Sequence, residues 1–241
     1  MKAIYLKVSE LKLITQFLIE KEIILHPKIS PHGRPNFTNY ESQKFILILD
    51  RNILVKLLRL ADEGTLKDEF SLKLVSSLFL WTQFNGVGIT AGIALTEYAN
   101  YQSDSAEASL ENNKFLSIFN YYDLQYWVDL ATGKIKSIPK INISPISSIN
   151  FNVESDHYKM HYLEMLKMSQ LFLNNKLSIL ERFHLFHDWI YRNILICKYT
   201  TFYAALVFSG NSKLFKDVIN SFEDVINKCR NQAWDLTYLS I

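Results

Sequence analysis

The chain has 241 residues, 49% of them hydrophobic, and a net charge of +2 from 26 basic and 24 acidic residues. That is enough apolar material for a substantial core, and the charge balance excludes a long-range draw toward nucleic acid, leaving only local basic patches. Two cysteines, Cys197 and Cys229, are too few for a disulfide framework or a thiolate metal cluster and read as buried thiols in a reducing cytoplasm.

Lys2, Lys7, Glu10 and Lys12 interrupt the start of the chain, so no apolar run of the secretory-signal kind forms there. Ser9 is placed to cap a helix running to about Lys21, with Leu11, Ile14, Phe17 and Leu18 as its buried stripe. Residues 27–40 hold Pro27, Pro31, Gly33 and Pro35 and read as a loop. His26, His32 and Arg34 lie in or beside it without a repeated metal-ligand spacing.

Residues 45–49 are all apolar and lead into Asp50, Arg51 and Asn52. The run predicts a central strand covered on both faces. Ile53, Leu54, Leu57, Leu58 and Leu60 then fall at helical spacing, so Asp50 stands where a strand gives way to a helix. Two roles fit it there: a helix cap, or a carboxylate at the strand's carboxyl end, where open α/β sheets bind ligands.

Phe70, Leu74, Leu78 and Trp81 predict a second helix over 66–84, and Asn85-Gly86 a turn. Residues 87–93 resume a strand-like pattern. The 23 residues from 74 to 96 carry no formal charge, but Gln83, Asn85 and Gly86 break the run, so it reads as helix, turn and strand rather than as a membrane span. Glu97 is the first charge after it, in the first turn of a following helix, where the helix dipole favours an acid.

The order of these pieces resembles the PIN-like nucleases: an apolar strand ending in Asp50-Arg51-Asn52, a helix, and a strand feeding Leu95-Thr96-Glu97. Arg51 stands where that family carries a small hydroxyl residue. In the C-terminal stretch, Asn231 and Asp235 fall on one helix face, and Asp235 resembles the family's late metal-site Asp. The resemblance covers residues 44–100 and 228–241. It implies one α/β domain over 1–241, with a small central parallel sheet, many helices and a large helical insertion at about 101–210. It further implies that Asp50, Glu97 and Asp235 hold Mg²⁺ or Mn²⁺, with Asn52 and Asn231 orienting them, for phosphodiester hydrolysis of RNA. A toxin or phage-defence effector in the cytoplasm, with a protein inhibitor or a second copy as partner and no membrane, is the setting it suggests. The chain ends six residues after Asp235, where the family adds another strand, which implies a shortened member or a missing C-terminal part. A binding or scaffold protein on the same fold is the first alternative.

Residues 105–131 read as one aromatic-rich helix, with Phe115, Phe119, Tyr122, Tyr126 and Trp127 as a packed face or a base-stacking platform. Residues 134–153, with Lys134, Lys136, Lys140 and two prolines, predict an exposed irregular segment. Helices follow at about 155–175, 177–195, 198–209 and 212–240. Arg182 and His187 on the second of these resemble the Arg-x4–6-His arrangement of HEPN ribonucleases, although Phe183 stands where that family has a polar residue. The second alternative is therefore an all-α nuclease that works without metal.

Overall fold

The computed structural model describes residues 5–21, 23, 46–142, 148–153, 155–211 and 221–240. Helix makes up 71% of it, in ten helices among the described residues. The expected α/β architecture with a central PIN-like sheet is overturned: among the described residues the strands are β1 (Ile46–Ile48) and β2 (Gly88–Thr90), which pair with each other in parallel. An apolar run does not reveal how many neighbours a strand has. Ile46 is 69% exposed, and only Leu49, just past the strand, is buried. The run at 87–93 is cut short because the Gly92 N–H bonds the Thr90 hydroxyl at 3.2 Å and a helix begins there.

The chain divides into two compact units, residues 1–152 and 153–241. The boundary falls inside the stretch 101–210.

The first unit holds α1 (Val8–Glu20), α2 (Arg51–Glu63), α3 (Glu69–Asn85), α4 (Gly92–Gln102), α5 (Ser105–Tyr121) and α6 (Leu124–Ala131). Ile14, Phe17 and Leu18 are the buried stripe of α1, as their spacing predicts. Helix α3 is the centre of this unit and packs on α6, α1 and α2. Asp68 caps it by accepting the Phe70 and Ser71 N–H groups, and Gly86, at φ +62°, ends it. Phe79 of α3 is fully buried, with the rings of Phe119 and Trp127 each 5.0 Å away. The aromatic helix expected at 105–131 is thus a packed face, and it is broken at Tyr122, whose backbone is extended.

Residues 135–142 are irregular and mostly exposed, as expected, but two of their side chains dock the segment on the core. Ile138 and Ile141 are buried, and their N–H groups bond the carbonyls of Gly64 and Ala61 at 2.7 and 3.0 Å. The Tyr122 hydroxyl donates to the Pro139 carbonyl, and burial pushes it up to about 12.

The second unit packs α7 (Asp156–Phe172) against α10 (Phe222–Ser240), α8 (Ile179–Asn193) and α9 (Lys198–Phe208). Met165, Met168, Phe186, Ile190, Val207, Phe208 and Leu236 form its core. Ser155 and Ser178 cap α7 and α8, the latter in a capping box with Glu181. No described helix is long and apolar enough to cross a membrane. The loop read at 27–40, His26, Phe45 and the first part of the helix read at 212–240 lie outside the described residues.

Candidate functional site

Because β1 and β2 are parallel, their carboxyl ends lie side by side. Pairing runs from Ile46 opposite Gly88 to Ile48 opposite Thr90, and the Leu49 N–H makes the last backbone bond, to the Thr90 carbonyl at 2.9 Å. Asp50 comes next. It caps α2 with an exposed carboxylate that accepts the Asn52 N–H at 3.1 Å. Capping is therefore a role it does fill. From the other strand the chain turns at Ala91 into α4, which begins at Gly92 and so carries Glu97, half-buried, in its second turn rather than in the first turn expected. Two carboxylates thus sit on the segments that leave one edge of the pair, the edge where parallel strands present ligand sites.

Arg51 behaves differently from the small residue whose place it takes. Its guanidinium grips the Glu111 carboxylate of α5 through both terminal nitrogens, one bond at 2.8 Å, and lies over the Tyr98 ring, 4.1 Å from its centroid. A bidentate pair of this kind fixes geometry as well as neutralising charge. The Tyr98 hydroxyl is pushed up by burial first, and then by the negative charges of Glu111 and Glu107. Glu111 and Tyr98 went unnoticed in the sequence. Tyr98 adjoins Glu97, but nothing local marks Glu111, sixty residues beyond Arg51, as its partner.

Asn231 and Asp235 lie on the exposed face of α10 and belong to the second unit. Among the described residues no three His, Cys, Asp or Glu side chains gather as a metal-holding group. The side chain of Asn52 is exposed, and its backbone N–H serves the cap. Of the three lysines in 134–153, Lys134 pairs with Glu10 at 3.1 Å and Lys136 with Glu69. Hydrogen bonding and charge from Lys136 hold the Glu69 carboxyl below its ordinary value.

Arg182 and His187 share α8 but make different contacts among the described residues. Arg182 donates to the Asn174 carbonyl at 3.0 Å and lies 5.6 Å from the Phe172 ring centroid, while His187 packs on Phe183 at 5.3 Å. Arg182 is thereby engaged in closing the turn between α7 and α8.

A second polar cluster lies inside the second unit. The His161 Nδ1 is 2.7 Å from Glu164 Oε2, which also accepts the Thr200 hydroxyl at 2.8 Å. All three residues are fully buried. The His161 Nε2 is 2.9 Å from the Ser240 hydroxyl, which is also 3.2 Å from the Thr237 carbonyl. The other Glu164 oxygen has no hydrogen-bond partner among the described residues. The order of groups resembles a serine–histidine–carboxylate relay, but Ser240 shares its hydroxyl with a helix carbonyl. The cluster ties α7, α9 and α10 together. Its sequence signal was available: His161 and Glu164, three residues apart, lead the apolar stripe of Met165 and Met168.

Comparison with protein-family models, curated proteins and solved structures gives no match.

Proposed function

We propose that the chain is a metal-dependent ribonuclease whose cation site is built on Asp50 and Glu97. The observation that carries this reading is the parallel pairing of β1 and β2, which sends Asp50 and the helix bearing Glu97 off one shared edge. Carboxylate oxygens suit hard cations, and Mg²⁺ commonly takes only one or two carboxylates, completing its shell with water and substrate phosphate. Two carboxylates are therefore a sufficient protein contribution. The Glu111 pairing neutralises Arg51, so the cationic side chain next to Asp50 does not oppose a metal there. When bound, the metal supplies Lewis-acid polarisation of the phosphate and a more acidic water. The resemblance of both motifs to PIN-like nucleases supplies RNA as the substrate.

The test is cleavage of single-stranded RNA with Mg²⁺ or Mn²⁺ added. Asp50→Asn is the informative variant, since Asn caps a helix as well as Asp and the start of α2 is preserved. Wild-type cleavage should stop on chelation. Asp50→Asn and Glu97→Gln should each lower it by at least about 10–100-fold, the loss that even outer-shell groups of a metal site produce. Cleavage that persists in chelator and disappears in an Arg182→Ala/His187→Ala double variant would replace this reading with the all-α, metal-free one. A wild-type protein that cuts no RNA under either condition leaves the binding-protein alternative.

A further inference from the structure

We propose that Ser240 is a nucleophile activated by His161 and Glu164, forming a site for acyl transfer from activated esters in the 153–241 unit. This site is independent of the metal-site reading above. Its geometry comes first. The Ser240 Oγ is 2.9 Å from His161 Nε2, and His161 Nδ1 is 2.7 Å from Glu164 Oε2. Nucleophile, base and orienting carboxylate thus follow one another at hydrogen-bond distance, and such a relay is defined by these roles rather than by chain order. An ionised carboxylate only accepts, so Glu164 takes the Nδ1–H and leaves the Nε2 lone pair facing Ser240. The Ser240 hydroxyl then has two acceptors, Nε2 at 2.9 Å and the Thr237 carbonyl at 3.2 Å, and the ring offers the shorter bond.

The surroundings fit this use. His161, Glu164 and Thr200 are fully buried while Ser240 is partly exposed, so the base is kept dry and the nucleophile meets solvent. The Thr200 hydroxyl donates to Glu164 Oε2 at 2.8 Å and holds the carboxylate against the ring. Glu164 Oε1 has no hydrogen-bond partner among the described residues. A helix tie gains little from a buried carboxylate left half-satisfied, since apolar packing of similar volume often holds helices as well or better. A relay needs that charge, because it stabilises the imidazolium that forms when His161 takes the serine proton. Ser240 lies in the last turn of α10, and the carbonyl end of a helix favours the same cation. That end presents carbonyls rather than N–H groups to an oxyanion, so the site suits esters with a good leaving group, such as aryl esters. Ser240 Oγ bonds to the acyl carbon, the bond from that carbon to the phenolate oxygen breaks, and the serine proton passes through His161 Nε2 to the phenolate. Water then attacks the acyl carbon and gives a proton to His161. The carboxylic acid leaves, and that proton returns to Ser240.

The test is covalent labelling of the full-length chain with a fluorophosphonate. Ser240 Oγ displaces fluoride from phosphorus, and His161 takes the serine proton. Peptide mass spectrometry locates the label. It is expected on Ser240, and p-nitrophenyl acetate should leave an acetyl group on the same residue. Ser240→Ala should remove the label while the unit still unfolds cooperatively in urea. Glu164→Gln keeps the shape and loses the charge, and should slow labelling by about 10²–10⁴-fold, the contribution of a positioned base. A serine that only ties helices stays unlabelled. A wild-type chain with no label on Ser240 in excess fluorophosphonate therefore overturns the proposal, as does a folded Glu164→Gln that is labelled at the wild-type rate. If Glu164→Gln does not fold, the position of the wild-type label and its loss in Ser240→Ala decide.

Discussion

Replacing His161 with alanine is expected to destabilise the 153–241 unit by about 1–3 kcal/mol, the cost of leaving one member of a buried hydrogen-bonded pair behind. Glu164 would remain fully buried, with one carboxylate oxygen already lacking a partner and the other reduced to the Thr200 hydroxyl. The imidazole also leaves a cavity among α7, α9 and α10, which adds to the loss. Removing both members together is the sharper measurement. In His161→Leu/Glu164→Leu no carboxylate is stranded and the Thr200 hydroxyl is the group that loses its partners, so the double variant should be more stable than His161→Ala, although it carries one more substitution. Urea unfolding followed by tryptophan fluorescence reports both values. A His161→Ala loss below about 1 kcal/mol, or a double variant no better than the single one, would show that the cluster does not hold these helices together.

Most helices were legible because each buries one stripe, and a stripe at helical spacing is visible residue by residue. Ile14, Phe17 and Leu18 on α1 and Leu54, Leu57 and Leu58 on α2 are all buried where the spacing puts them. The break between α5 and α6 was not legible, since the aromatic spacing runs on through Tyr122 while its backbone turns out of the helix. The strands were legible as strands, and so was their parallel pairing, but not the size of the sheet. A strand's number of neighbours is a tertiary property, and the five apolar residues at 45–49 look the same with one neighbour or two.

The candidate site divides along the same line. Asp50 at a strand end and Glu97 in the helix after the next strand were legible, because both are set by local signals. Asp235 was read as sharing one helix face with Asn231, and both are exposed on α10, but helix periodicity carries no information about the unit in which that helix packs. Arg51 showed only as a departure from a motif. Its partner is reached through a long side chain to a helix far along the sequence, a contact that no spacing rule encodes. The docking of 135–142 was hidden for a related reason. Prolines and polar residues predict irregular backbone, but irregular backbone buries side chains wherever its own N–H and C=O groups find partners.

That docking depends on one glycine, and Gly64→Ala is expected to cost about 2–4 kcal/mol, from left-handed strain together with overpacking. Gly64 ends α2 at φ +74°, a conformation that glycine adopts without a Cβ penalty. A Cβ there would lie 2.4 Å from the Ile138 carbonyl oxygen, closer than any real contact, and the obstacle is backbone rather than a side chain that could move aside. The same residue accepts the Ile138 N–H at 2.7 Å, so relieving the clash pulls at the bond that brings Ile138 and Ile141 into the core. Gly86 is the internal control. It ends α3 at φ +62°, yet a Cβ there meets nothing within 4 Å. Gly86→Ala should therefore show the left-handed strain alone, about 1–2 kcal/mol. Chemical denaturation of the two variants side by side isolates the close approach. Equal losses would mean that residues 135–142 do not sit against the end of α2, whereas a clear excess at Gly64 confirms that they do.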